Sequence, residues 1–258
     1  MRILTTFLLI LTVSPLFISG QSSALQPVNN LTTKEIVAHL GENNRKRQQE
    51  LQAYTGQREY HLLYTGFPGK READLVVGVK YEAPHTKDFT LVSQSGSGWI
   101  VNRVFKKLLE TEKEAAAAQN QAKTALTEDN YSFELLGQEH LEGRPAYVLK
   151  VEPKTANKLL YRGKIWVDAA DFAVAKIEAE PAKLPSFWIS KTVVHHTYRK
   201  IGEFWLPVQN ESTTDVRLGG HAILSIQYND YRVVSGTKAP SSIAPAEPLL
   251  QTEWITDH

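Results

Sequence analysis

The sequence predicts an α+β fold in which an antiparallel β-meander of about ten to eleven strands is accompanied by two helices. Three observations predict it. Runs with apolar residues on every second position recur between Tyr54 and Val234. The later runs are separated by EGR, PKTANK, DAAD, KIGE and RLGG, each short enough for a hairpin turn. Inside the series the period changes once to that of a helix, in WIVNRVFKKLLETEKEAAAA. Consecutive hairpins give a meander, which either curls into a barrel or needs something to cover one face.

The elements follow in order along the 258 residues. Residues 1–24 read as a secretory signal peptide, with Arg2, an apolar core from Ile3 to Ile18, and Ser22 and Ala24 preceding a cleavage site. Thr5, Thr6, Thr12 and Pro15 interrupt that core, so it spans a bilayer poorly. Residues 25–235 then form one domain. Residues 236–258, rich in proline and small side chains, form a flexible tail whose LLQTEW segment could dock on it. In the domain, Thr32 or Thr33 caps a helix that runs to Leu51, with Glu35 in its first turn and Ile36 and Leu40 on its apolar side. Strands are expected over Tyr54 to Tyr64, Ala73 to Tyr81 and Phe89 to Ser95. GFPGKRE and EAPHTKD supply the turns between them. After QSGSG, a stripe of Ile100, Val101, Val104, Phe105, Leu108 and Leu109 marks the second helix, expected to reach about Leu126. Seven further strands begin near Tyr131, Pro145, Tyr161, Phe172, Trp188, Phe204 and Ala222.

Composition narrows the function. There is no cysteine, hence neither a lipid-modified N-terminal cysteine nor a disulfide framework, and the core alone must hold the fold. Once Arg2 is removed with the signal, the basic residues equal the 28 acidic ones. A neutral mature protein has no general electrostatic reason to seek nucleic acid or an anionic membrane, and no nucleic-acid partner is expected.

Catalytic constellations are weak. His195 and His196 are neighbours on a strand and point to opposite faces, so they cannot jointly grip an ion, and His221 lies a hairpin away. Ser97 has glycines on both sides but lacks the G-x-S-x-G frame. Asp168 and Asp171 fall in a DAAD turn, where turn geometry alone accounts for acids. No catalytic residue, metal or cofactor is expected.

The strands divide by face. Tyr161, Ile165 and Val167 oppose Arg162, Lys164 and Asp168, and Phe204, Leu206 and Val208 oppose Gln209 and Glu211. Leu224, Ile226 and Tyr228 oppose Ser225, Gln227 and Asn229. GKIWVD (Gly163 to Asp168) continuing through AKIEAEP (Ala175 to Pro181), and FWISKTVVHHTYRKIGEFWLP (Phe187 to Pro207), carry a family likeness. Between Thr33 and Val234 the chain resembles the LolA/LolB-like superfamily of periplasmic lipoprotein carriers, and more closely its outer-membrane lipoprotein-sorting proteins.

That resemblance implies a half-open antiparallel β-barrel, closed on its concave side by covering α-helices, with an apolar cavity for lipid or lipoprotein acyl chains. Residue parity then assigns the lining to Val104, Phe105 and Leu108 on the long helix. On the strands it assigns Tyr161, Ile165, Val167, Phe204, Leu206, Leu224, Ile226 and Tyr228. The resemblance further implies a monomer in the periplasm, free of a lipid anchor, that carries acyl chains toward the outer membrane and meets inner- and outer-membrane proteins. A sensor or interaction module of the same fold, acting in envelope stress signalling, is the alternative, and a hydrolase or metal enzyme using the histidines ranks last. In the carriers, an arginine shortly after an aromatic in an early strand latches the lid. Here Thr90 follows Phe89 and no arginine is present there, so either the latch is built differently or the lipoprotein-handling role has drifted.

Overall fold

A computed structural model describes residues 31–84, 86–116, 122–157, 159–184, 186–217 and 219–236. The expected signal peptide and nearly all of the expected tail, with its LLQTEW segment, lie outside the described residues. Helix α1 spans Thr33–Glu50 and passes directly into β1, Leu51–Thr65. Its start is a full capping box. The Thr32 hydroxyl accepts from the Glu35 N–H, while the Glu35 carboxylate accepts from the Thr32 backbone and hydroxyl. Strands β2 (Arg71–Glu82) and β3 (Thr86–Gly96) complete the first hairpins.

The second helix opens with a π-helical stretch, Ile100–Phe105, and continues as α2, Lys106–Ala116. Its wider turn, closed by bonds spanning five residues such as Lys106 N–H to the Val101 carbonyl, brings residues five apart onto one side. Ile100 and Phe105 are thereby both fully buried, and Trp99 is left outside. The expected continuation to Leu126 crosses residues 117–121, which lie outside the described residues; 122–124 form a short helical turn.

The meander resumes as β4 (Tyr131–Leu141), β5 (Arg144–Pro153), β6 (Tyr161–Asp168) and β7 (Val174–Pro181). It ends with β8 (Ile189–Ile201), β9 (Phe204–Val216) and β10 (Gly220–Ser235). All ten strands form one antiparallel sheet in the order β3-β2-β1-β10-β9-β8-β7-β6-β5-β4. First and last strands pair with each other, and the sheet stays open, with β3 and β4 as its edges. This is the strand count of the expected half-open barrel, without closure.

Two separate cores sit on one face of this sheet. Ile36, Val37 and Leu40 of α1 pack against Tyr147, Leu149, Val151, Ile165 and Val167 of β5 and β6. Ile100 and Phe105 pack against Leu62, Leu75 and Val77 of β1 and β2, with Leu206 and Ile226. Each helix thus packs on one end of this face, an arrangement driven by apolar area removed from water. On the other face, Trp166 packs with Ala146 and Val148 and donates its indole N–H to Glu139 at 2.7 Å. That explains an aromatic on a face expected to be polar.

Candidate functional site

The register carries one row of side chains across the covered face: Leu149, Ile165, Ile177, His196, Asn210, Ile226, Tyr60 and Leu75. Its two ends are apolar and lie under the helices. Its middle is polar. The Asn210 amide nitrogen lies 3.1 and 3.0 Å from the two ring nitrogens of His196, and its side-chain carbonyl oxygen is buried without a hydrogen-bond partner among the described residues. His196 also meets Tyr161 edge-on at 6.4 Å and stacks with Tyr198 at 6.3 Å.

These groups keep some accessible surface, yet their protonation follows a protein interior. Burial pushes the His196 imidazole down to about 4, against the opposing pull of Glu112. Burial pushes the Tyr198 hydroxyl up to about 12 and raises Tyr161 and Tyr228 as well. Partial surface together with strong desolvation means that they face an enclosed space rather than bulk water.

Beside this strip lies a cavity of about 560 Å³, between the C-terminal half of α1 and strands β7 to β9. Its sheet side is mixed: Ala173, Val174, Ile177 and Phe204 form an apolar patch next to Tyr198, and Asp171, Lys200, Glu203 and Trp205 complete it. Its helix side is amide and charged, with Asn43, Asn44, Lys46, Arg47 and Glu50. The Arg47 Nε is buried without a hydrogen-bond partner among the described residues. The cavity is amphiphilic where the sequence led us to expect an apolar one. Its volume falls within the roughly 300–1,000 Å³ usual for small-molecule sites.

The eleven residues expected to line a cavity are distributed as follows. Phe204 lines it. Ile165 and Val167 are buried beneath α1. Phe105 is buried on the sheet-facing side of the π-helical stretch with Leu206 and Ile226 beneath it, and Val104, Leu108, Leu224 and Tyr228 pack partly buried around them. Tyr161 stands against His196.

Sequence reasoning missed the fastening of α2. Arg58 points inward from β1, 3% exposed, and donates to Glu112 of α2 at 2.5 Å, while Lys87 of β3 reaches the other oxygen of the same carboxylate. The guanidinium also lies 4.7 Å over the Tyr228 ring and 5.4 Å over Phe89. Burial would raise the Glu112 pKa, but Lys87 and Arg58 override it and hold it at about 2. Burial would lower that of Arg58, and Glu112 more than compensates. The signal was present in parity: Arg58 shares the inward phase of Tyr54, Tyr60 and Leu62.

Three of the polar residues considered for chemistry, Asp168, Asp171 and His221, have structural partners. Asp168 accepts two bonds from Arg144 and the N–H groups of Ala170 and Asp171. Asp171 accepts from Trp205, Lys200 and Arg144. His221 bonds Asp215 at 2.9 Å. Among the described residues no cluster of His, Asp or Glu suits a metal ion.

A family model described only as an uncharacterized protein matches residues 120–236. No curated protein matches the chain. Among solved structures, an outer membrane lipoprotein-sorting protein domain from Vibrio parahaemolyticus is 12% identical with a TM-score of 0.40, over 81% of this chain and 96% of that one. A LolA superfamily protein from Nitrosomonas europaea is 13% identical with a TM-score of 0.33, over 81% and 96%. The MucA/MucB complex of Pseudomonas aeruginosa contains a chain that is 9% identical with a TM-score of 0.25, over 78% and 99%. The solved structures to which this chain is similar include LolA-superfamily and lipoprotein-sorting proteins.

Proposed function

We propose that the protein is an exported carrier that shelters the acyl chains of a lipid or lipoprotein in the periplasm and moves them toward the outer membrane. The observation that supports this reading is the cavity between α1 and the sheet, which sets an apolar patch of Val174, Ile177 and Phe204 opposite the amide and charged side chains of α1. An amphiphile matches such a lining, with its chain along Val174, Ile177 and Phe204 and its polar head toward Arg47 and Asn43. A longer chain requires more apolar wall. Release of α2 from Arg58 and Lys87 would add Val104, Phe105, Leu108, Leu206, Leu224, Ile226 and Tyr228, and movement of α1 would add Ile165 and Val167 beside Tyr161. The cover is held by charge as well as by apolar contact, so it can detach without unfolding the sheet.

The test is titration with a fluorescent fatty-acyl probe, comparing the parent with Val174→Trp and Asn43→Trp, which fill the cavity from its two sides. Saturable binding that both variants weaken is expected. Absence of binding in the parent, or binding indifferent to both, would end the carrier reading.

A second reading has its own observation. Both sheet edges, β3 and β4, are unpaired, with Val92 and Leu136 exposed on them. A partner strand could add to either edge, as suits an interaction module for an envelope membrane protein.

A further inference from the structure

Alternating strand direction places four connections at one rim of the sheet. They are the β1–β2 turn, the β5–β6 loop, the β7–β8 loop and the β9–β10 turn, and the chain also leaves β3 there toward the second helix. Four large apolar side chains project from this rim. Phe67 is 87% exposed, Phe187 71%, Trp188 58% and Trp99 53%. The sheet order spreads them along the rim, from Trp99 after β3, through Phe67, past the β9–β10 turn, to Trp188 and Phe187 before β8. Isolated exposed apolar residues need no explanation, but several gathered at one end of a molecule mark an interaction surface.

The connections at the two rims differ in charge. Residues 66–70, 154–160, 182–188 and 217–219 contain Lys70, Lys154, Lys183 and Arg217 and no acidic residue, while Glu128 and Asp129 stand where the chain enters β4 at the same rim, the Glu128 carbonyl accepting from Lys154. The turns of the other rim, at 142–143, 169–173 and 202–203, contain Glu142, Asp171 and Glu203 and no Lys or Arg. Two basic groups also hold the aromatic ones. The Arg217 guanidinium lies 4.5 Å over the Phe187 ring, with its backbone N–H bonded to the Trp188 carbonyl at 2.7 Å, and Arg71 lies 5.8 Å over Trp99. Beside them, Glu72 pairs with Lys70 at 3.1 Å.

We infer that this rim docks the protein on the surface of an anionic bilayer, with the rings in the headgroup region and the lysines and arginines among the lipid phosphates. Exposed Trp and Phe interleaved with Lys and Arg is the composition that favours a membrane–water interface. Protein interfaces are depleted of lysine, and here the rings stand out on separate connections instead of lining a groove. The net neutrality of the chain conceals this polarity, because the acidic turns at the opposite rim cancel it. The inference is independent of what the cavity holds.

Vesicle flotation tests it, using the protein as the cell exports and processes it. Vesicles of phosphatidylethanolamine with phosphatidylglycerol are compared with phosphatidylcholine alone. Binding to the anionic vesicles at low salt is expected, with the tryptophan emission shifted to shorter wavelength. Lys183→Glu and Arg217→Glu should each weaken it about fivefold, from roughly 1 kcal/mol per basic residue near a charged surface. The triple variant Phe67→Ser, Phe187→Ser, Trp188→Ser should weaken it by about tenfold or more, given the apolar area each ring withdraws from water. Glu142→Lys at the opposite rim should leave it unchanged, and circular dichroism checks that each variant is folded. Failure to bind anionic vesicles, equal binding by the triple variant, or capture by native membranes but not by protein-free vesicles would overturn the inference.

Discussion

His196→Gln isolates the polar strip at the centre of the covered face. His196 lies among Tyr161, Tyr198 and Asn210, and its pKa is held at about 4 against an ordinary value of 6.5. A histidine whose folded pKa is depressed contributes stability that is present above pH 6.5 and lost as pH falls through 4, because the unfolded chain binds the proton first. At about 1.4 kcal/mol per pKa unit, the full effect is roughly 3 kcal/mol, and about 2 kcal/mol of it is already lost at pH ~5. Glutamine keeps much of the ring's volume and hydrogen bonding but cannot titrate. Urea unfolding followed by tryptophan fluorescence at pH ~8 and pH ~5 gives the comparison for parent and variant. The parent should lose about 2 kcal/mol more than His196→Gln between those conditions. Parallel losses in the two proteins would mean that His196 titrates as an exposed imidazole and that the enclosed strip is not there.

Other outcomes follow from the same contacts. Glu112→Gln leaves Arg58 charged and buried without its carboxylate, and should destabilise by about 3–5 kcal/mol in chemical denaturation. The stability that Glu112 itself carries is present above pH 4.5 and lost as pH falls through about 2. A pH titration of the Glu112→Gln variant should therefore lack that acid limb. Gly163→Ala forces a side chain to within 2.4 Å of the Glu178 carbonyl at a φ of +151°, so a loss of at least about 1–3 kcal/mol is expected by thermal unfolding. Leu40→Ala, beneath which Ile165 and Val167 pack, should cost about 2–5 kcal/mol and raise proteolysis within α1.

Local pattern in the sequence made the fold legible to an unusual depth. Ten strands appear where period-two runs predict them, the capping residues Thr32 and Glu35 open α1, and the helical stripe of Ile100 and Phe105 is buried. Small departures have local causes. Phe172, expected to begin a strand, instead takes a φ of +48° as the DAAD turn closes. The site was less legible. Which strands share a row is decided by the pairing of β1 with β10, far apart in sequence, and only that pairing reveals His196 and Asn210 as the polar middle of an otherwise apolar row. Arg58 was readable from its phase. Its carboxylate was not, because Glu112 is brought there by the seating of α2 on β1 and β3. Nor does strand parity reveal that the two helices bury most of the apolar surface, leaving a cavity whose helix side is polar.

Mass spectrometry under native conditions, followed by lipid extraction, on protein taken directly from the envelope is the most direct test of the proposed cargo. The carrier account predicts a population heavier than the bare chain by the mass of one amphiphile, whose loss on extraction restores the bare mass, and which Val174→Trp diminishes. A single species at the bare mass, from protein that also yields no lipid on extraction, would contradict it.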